Sequence, residues 1–176
     1  GGNFLTIHDD DITLTLANPS LITEKMSNEL GLSYVDYFSD INYGFAQYGR
    51  TFEKAGSFVG TMQYINYGKF LEADNAGVTY GEFSSSEMAL VIGWGRRLTP
   101  RWGIGANAKL IYSSLYSYNS FGIAVDVAGS YFSENELFTA SLIARNIGYQ
   151  IVAYDNVHEP VPFELQIGLS QRLKHI

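Results

Sequence analysis

The chain has 176 residues, a net charge of −7 and no cysteine, with 16% charged residues against 15% aromatic, a length that suits one domain. The charged fraction falls well below the roughly 25% of soluble domains. Its Lys and Arg residues are scattered rather than gathered into a phosphate-neutralising stripe, so nucleic acid is not an expected partner, and the missing thiols exclude disulfides, thiolate nucleophiles and thiolate metal sites.

Residues 1–29 form the first segment. The chain opens on Gly1-Gly2-Asn3, without Met or a basic stretch, so the true start is expected to have been removed by processing or truncation. Within HDDDITLTLANPSLI, His8, Asp9, Asp10 and Asp11 precede an Asn18-Pro19 pair. Four such residues suggest a hard cation, but they lack the alternating ligands of an EF-hand loop, and the other histidines, His158 and His175, are far along the chain. The simpler expectation is local: aspartates capping a helix or closing Asx turns, and Asn18-Pro19 as a rigid turn. No metal or other cofactor is expected.

From Leu30 onward the dominant period is two. In RWGIGANAKLIYSS, Trp102, Ile104, Ala106, Ala108, Leu110 and Tyr112 share one face, opposite Gly103, Gly105, Asn107, Lys109 and Ser113, the signature of a strand with one apolar face. The same alternation in SFGIAVDVAGSY, LFTASLIARN and PFELQIGLSQR predicts eight strands, near 30–38, 41–53, 56–68, 86–97, 101–115, 118–132, 137–147 and 161–174. Several exceed the ordinary 5 to 6 residues, whereas about 9 to 11 suffice to cross a bilayer as a tilted strand. No apolar run approaches the ~18 residues of a membrane helix.

The connections alternate in size. EKAG (53–56), TPR (99–101) and SENE (133–136) read as tight turns at one end. At the other lie FSDI (38–41) and two longer segments read as loops, 69–86 and 148–160. Short turns at one end and long loops at the other are the habit of outer-membrane barrels. Aromatics gather toward strand ends, as interfacial Tyr and Trp do. Arg50, Lys109, Asp126, Arg145, Glu164 and Arg172 are expected opposite the apolar face, in a hydrated lumen, because a mid-membrane charge facing lipid costs about 2 to 4 kcal/mol. The fold expected is therefore all-β, an antiparallel up-and-down transmembrane β-barrel with residues 1–29 as a hatch and 30–176 as barrel wall. The alternative is a soluble β-sandwich or lipocalin-like barrel, with the apolar face packed inside.

Catalytic patterns are thin. There is no GxSxG elbow, the GWG and GIG triplets read as small lumen-facing residues rather than a phosphate loop, and Glu134 and Glu136 sit in a turn. The chain is not expected to be an enzyme.

Four segments carry a resemblance over essentially the whole chain: IHDDDITLTLANPSLI, LSYVDYFSDINYGFAQYGRTFEKAGSFVGTMQYINYGKF, IGANAKLIYSSLYSYNSFGIAVDV and PFELQIGLSQRLKH. They resemble the PorV/PorQ family of the type IX protein secretion system, outer-membrane barrels similar to the FadL-type fatty-acid channels. Asp9, Asp10, Asn18, Pro19 and Ser20 resemble the family's hatch signature, usually read as Asn-Pro-Ala. The resemblance implies a 14-stranded barrel, of which this chain would supply the first eight strands, in the outer membrane of a Gram-negative bacterium. It implies a non-catalytic role, anchoring the cell-surface attachment complex by docking a PorZ-like surface protein. PorU and PorV-like subunits work beside it to join cargo to lipopolysaccharide. The contact residues expected on outer loops are Phe70, Leu71, Val78, Tyr80 and Phe83 in one, and Tyr149, Ile151, Val152 and Tyr154 in the other. The competing expectation is that these side chains fold over the barrel mouth. The alternative function is a FadL-like channel passing a hydrophobic small molecule.

Overall fold

The computed structural model describes residues 15–37, 41–73, 76–77, 79–115, 118–152 and 163–173. His8 and Asp9 to Asp11 lie outside these residues, as do Val78 and Tyr154.

Period-two alternation folds as period-two alternation. Strands β1 (Leu30–Asp36), β2 (Asn42–Phe52), β3 (Gly56–Ala73), β4 (Thr79–Arg97), β5 (Trp102–Leu115), β6 (Tyr118–Phe132), β7 (Phe138–Val152) and β8 (Glu164–Gln171) make one antiparallel sheet. Its strand order is the chain order, so every connection is an up-and-down hairpin, and β1 and β8 are its two open edges. Turns at 53–55, 98–101 and 133–137 share one end. No helix among the described residues is long and apolar enough to cross a membrane.

Of the two connections expected as loops, the first is largely strand and the second begins as one. β3 runs on to Ala73 and β4 starts at Thr79, so Phe70 and Leu71 lie on β3, Tyr80 and Phe83 on β4, with Phe70 opposite Phe83. Likewise Tyr149, Ile151 and Val152 belong to β7. Each strand runs past a β-bulge that shifts its side-chain phase, between Asn66 and Lys69 on β3 and between the partners of Val125 and Val127 on β7. An extra residue inserted into one strand breaks period two without ending the pairing.

Paired residues share a face, so the registers sort the side chains. One face carries Tyr34, Tyr64, Met88, Tyr112 and Phe121 in a row of neighbours from β1 to β6, interrupted at Gly44. This face is bare: Ile92 is 51% exposed, Trp102 54% and Ile167 72%. The opposite face is covered, and Gln47, Thr61, Asn107, Asp126, Ser130 and Ser141 are buried on it. A sandwich requires the reverse, with Trp102 and Phe163 inside; both are exposed.

The cover is residues 15–28. The 3-10 turns Pro19–Leu21 and Glu24–Met26 lie against the sheet, burying Leu21, Ile22 and Met26, the last two against Val59 of β3.

Candidate functional site

The site is the seat of the Asn18-Pro19-Ser20 turn on the covered face. Asn18 starts the turn in extended conformation, its side chain accepting from the Ser20 amide at 3.1 Å, while Pro19 presets the first helical position. That one side-chain oxygen also accepts from Ser20 Oγ at 2.5 Å. Asn18 Nδ2 donates to Ser141 Oγ at 3.0 Å and to Ser130 Oγ at 3.4 Å. Ser130 Oγ is 2.5 Å from both Ser20 Oγ and Ser141 Oγ. Three hydroxyls and a carboxamide, all buried, thus satisfy one another in a closed network, as buried polar groups must. Ser130 on β6 and Ser141 on β7 are direct register partners, which is why their hydroxyls meet.

Glycines make room for the turn. A Cβ on Gly95 of β4 would lie 2.6 Å from Ile22 Cβ and 2.7 Å from the Pro19 carbonyl oxygen, and one on Gly105 of β5 would overlap the Pro19 carbonyl group. Gly95 and Gly105 are register partners, so the two bare backbones form one floor. Only glycine permits so close an approach of backbone to backbone.

Above the turn sits a charged cluster. Asp126 of β6, 0% exposed, takes Lys109 Nζ at 2.9 Å and Arg145 Nη1 at 3.7 Å. It also accepts from the Asn146 backbone amide at 2.9 Å, and Asn107 Nδ2 donates to its other oxygen at 3.4 Å. Lys109 Nζ further donates to Asn146 Oδ1 at 2.7 Å. Arg145 then reaches the N-terminal segment, donating from Nη1 to the Leu16 carbonyl at 3.2 Å and from Nη2 to the Ala17 carbonyl. A buried carboxylate with this many donors is what a paired interior charge requires. The cluster is a clasp: Asp126 holds the cations, and Arg145 holds the segment.

The expected lumen residues divide. Lys109, Asp126 and Arg145 come together on the covered face. Glu164, register partner of Arg145, is exposed at the β8 edge, bonded through Gln166; Arg172 is exposed just beyond β8. Arg50 is a correction. It pairs with Phe58 and lies over the Phe52 ring at 5.6 Å, on the bare face. In NYGFAQYGRTF both parities carry aromatics, so the alternation does not fix its side. Of the expected N-terminal residues, Asn18 and Pro19 are at the centre of the site. Ser20, Ser130, Ser141, Asn107 and Asn146 complete it, and the small and amide residues opposite the apolar face were their signal.

The network predicts a cross-link. Because the chain has no native cysteine, a Ser20→Cys/Ser130→Cys pair is expected to form one disulfide on mild oxidation, seen as a faster non-reduced gel band and absent from either single variant.

The chain matches no family model and no curated protein.

Proposed function

We propose that this chain is a section of an outer-membrane β-barrel wall whose hatch includes residues 15–28, and that it serves the type IX secretion system as a non-enzymatic anchor. The observation that carries the membrane reading is the reversed burial: an apolar, aromatic face left bare while the polar face is covered. In water such a face is unstable over this extent; against lipid tails it is the face a barrel needs. On β5 the exposed Trp102 and Tyr112 lie ten residue steps apart, about 34 Å of strand, or roughly 24 Å of height at a 45° tilt, close to the ~25 Å apolar band of membrane barrels. Both edge strands keep the pattern, with Leu32 and Tyr34 on β1 and Leu165 and Ile167 on β8 bare, so the wall is expected to continue through further strands. The localisation follows from this reading: the outer membrane of a Gram-negative bacterium, in contact with its lipid and lipopolysaccharide.

The attachment role rests on the sequence resemblance. The surface proposed for a PorZ-like protein is the far end of the β3–β4 hairpin, where Phe70 and Phe83 are register partners. Deleting residues 72–82 is expected to release the PorZ-like protein from the cell surface while leaving the barrel inserted; retention on the surface places the contact elsewhere. Fractionation tests the premise: the protein is expected in the membrane pellet, released by detergent but not by carbonate, and solubility without detergent overturns it.

A FadL-like channel is the second reading, favoured by stacked Tyr43 and Phe45, 6.4 Å apart and half-buried on the covered face. The Ser20→Cys/Ser130→Cys cross-link separates the two. Locking the hatch is expected to leave attachment intact if the chain is an anchor, and to stop uptake of a fatty-acid-like ligand if it is a channel.

A further inference from the structure

Charge is nearly absent from the bare face, and its placement is informative. Among the described strand side chains that the registers put there, the charged ones are Asp36 at the end of β1 and, near the short-turn ends of β2 and β4, Arg50 and Arg96. Both arginines are exposed and border β3: Arg50 pairs with Phe58, and Arg96 flanks Gly56, whose Cβ would meet Arg96 Cβ at 3.4 Å. Phe52 and Phe58 pack edge to face at 5.8 Å, with the Arg50 guanidinium over Phe52. Two cations therefore flank β3 where the apolar band ends, Arg50 over an aromatic ring and Arg96 beside Gly56. Gly60, four residues further along β3, leaves a gap on the same face: nothing lies within 4 Å of its Cβ position, and its register partners Tyr48 and Ile92 form the sides.

We propose that Arg50 and Arg96 bind the phosphate of a membrane phospholipid whose acyl chain lies along the Gly60 gap, an inference that rests on the membrane reading above. An arginine at the edge of an apolar band extends its stem along the band and its fork into the headgroup layer, where the planar guanidinium matches phosphate oxygens in pairs. The acids in this corner are Glu53, exposed in the 53–55 turn, and Glu24 and Glu136, which line one pocket with Lys25, Arg96 and Arg97; among the described residues none of the three forms an ion pair with Arg50 or Arg96. Arg50, Lys54, Arg96, Arg97 and Lys25 outnumber these three acids, so the corner is net positive and selects an anionic headgroup.

The test is native mass spectrometry of the full-length protein, purified in mild detergent and titrated with phosphatidylglycerol or phosphatidylcholine. Phosphatidylglycerol is expected to be retained in preference. Arg50→Gln/Arg96→Gln is expected to weaken it about 30-fold and each single substitution about fivefold, while Arg101→Gln, whose residue pairs with Glu134 at 3.3 Å, leaves it unchanged. Heat-shifted gel mobility confirms that each variant is folded; should the double variant not fold, the single ones decide. Equal binding of the two lipids, or undiminished phosphatidylglycerol in the folded variants, overturns the site. A protein absent from the membrane fraction overturns the membrane reading instead.

Discussion

Gly105→Ala is expected to unseat the N-terminal segment, although it adds one methyl group. The added Cβ falls on the Pro19 carbonyl group and close to the Ser20 amide at 2.6 Å. These are backbone atoms held by the Asn18 cap, so no rotamer change relieves the overlap. The β5 backbone cannot retreat either, since it is paired along both sides, with Gly105 opposite Gly95 and Ala128. Overpacking in a core costs about 1 to 3 kcal/mol; displacing the turn adds the loss of the Asn18 and Ser20 bonds, each about 1 kcal/mol. Gly122→Ala is the matched control on the same face, because nothing lies within 4 Å of a Cβ there; it is expected to stay within about 0.5 kcal/mol. The readout is the yield of the Ser20–Ser130 cross-link once both positions carry cysteine. Gly105→Ala should lower it several-fold and Gly122→Ala should leave it unchanged, and equal yields would refute the glycine floor.

Asp126→Ala should produce the larger loss of stability. It leaves Lys109 and Arg145, both largely buried, without their shared carboxylate, and breaking a buried pair in this way costs about 3 to 5 kcal/mol. The Asn146 amide loses its acceptor as well. The fall should appear in the urea midpoint of the folded protein, followed by heat-shifted gel mobility. An apolar replacement of all three groups, Asp126→Leu with Lys109→Met and Arg145→Met, is expected to recover much of that stability. It should not restore the seat of the segment, because the donors to the Leu16 and Ala17 carbonyls are gone. A triple variant that recovers both would show that Arg145 plays no part in holding the segment.

The sheet was legible in the sequence because a strand exposed to unlike surroundings on its two sides must write that difference with period two, as RWGIGANAKLIYSS does. The tight turns at 53–55 and 133–137 were legible from their polar residues. The hairpin from 69 to 86 was not. Its Gly, Asn and Ser content resembles a loop, and at Gly68, with φ 84° and its amide bonded to Asn66 Oδ1 at 2.9 Å, the alternation skips a beat while the backbone ladder resumes at Lys69 and Ser84. At the site, Asn18-Pro19 announced a turn, and Gly95 and Gly105 announced small residues. That the two fit each other could not be read, since they are separated by more than seventy residues and meet only through the strand order. The charges were placed by parity alone, which served for Lys109, Asp126 and Arg145 and failed for Arg50.

Asn146 also sets the timing of its strand. With φ 62°, it is the surplus residue of the β7 bulge. Before it, odd-numbered Thr139, Ser141 and Ile143 turn to the covered side; after it, Ile147 is 45% exposed on the bare one. The residue acts as a one-beat rest, and a second one follows between the partners of Gly122 and Phe121. Removing it by deletion would leave Asp126 opposite Arg145 alone between the pairs Val127–Ala144 and Val125–Ile147, so the ladder would close and Ile147 would keep its bare side. The surplus residue thus serves the clasp rather than the sidedness of the wall: what its loss removes is the amide given to Asp126 and the carboxamide oxygen that receives Lys109.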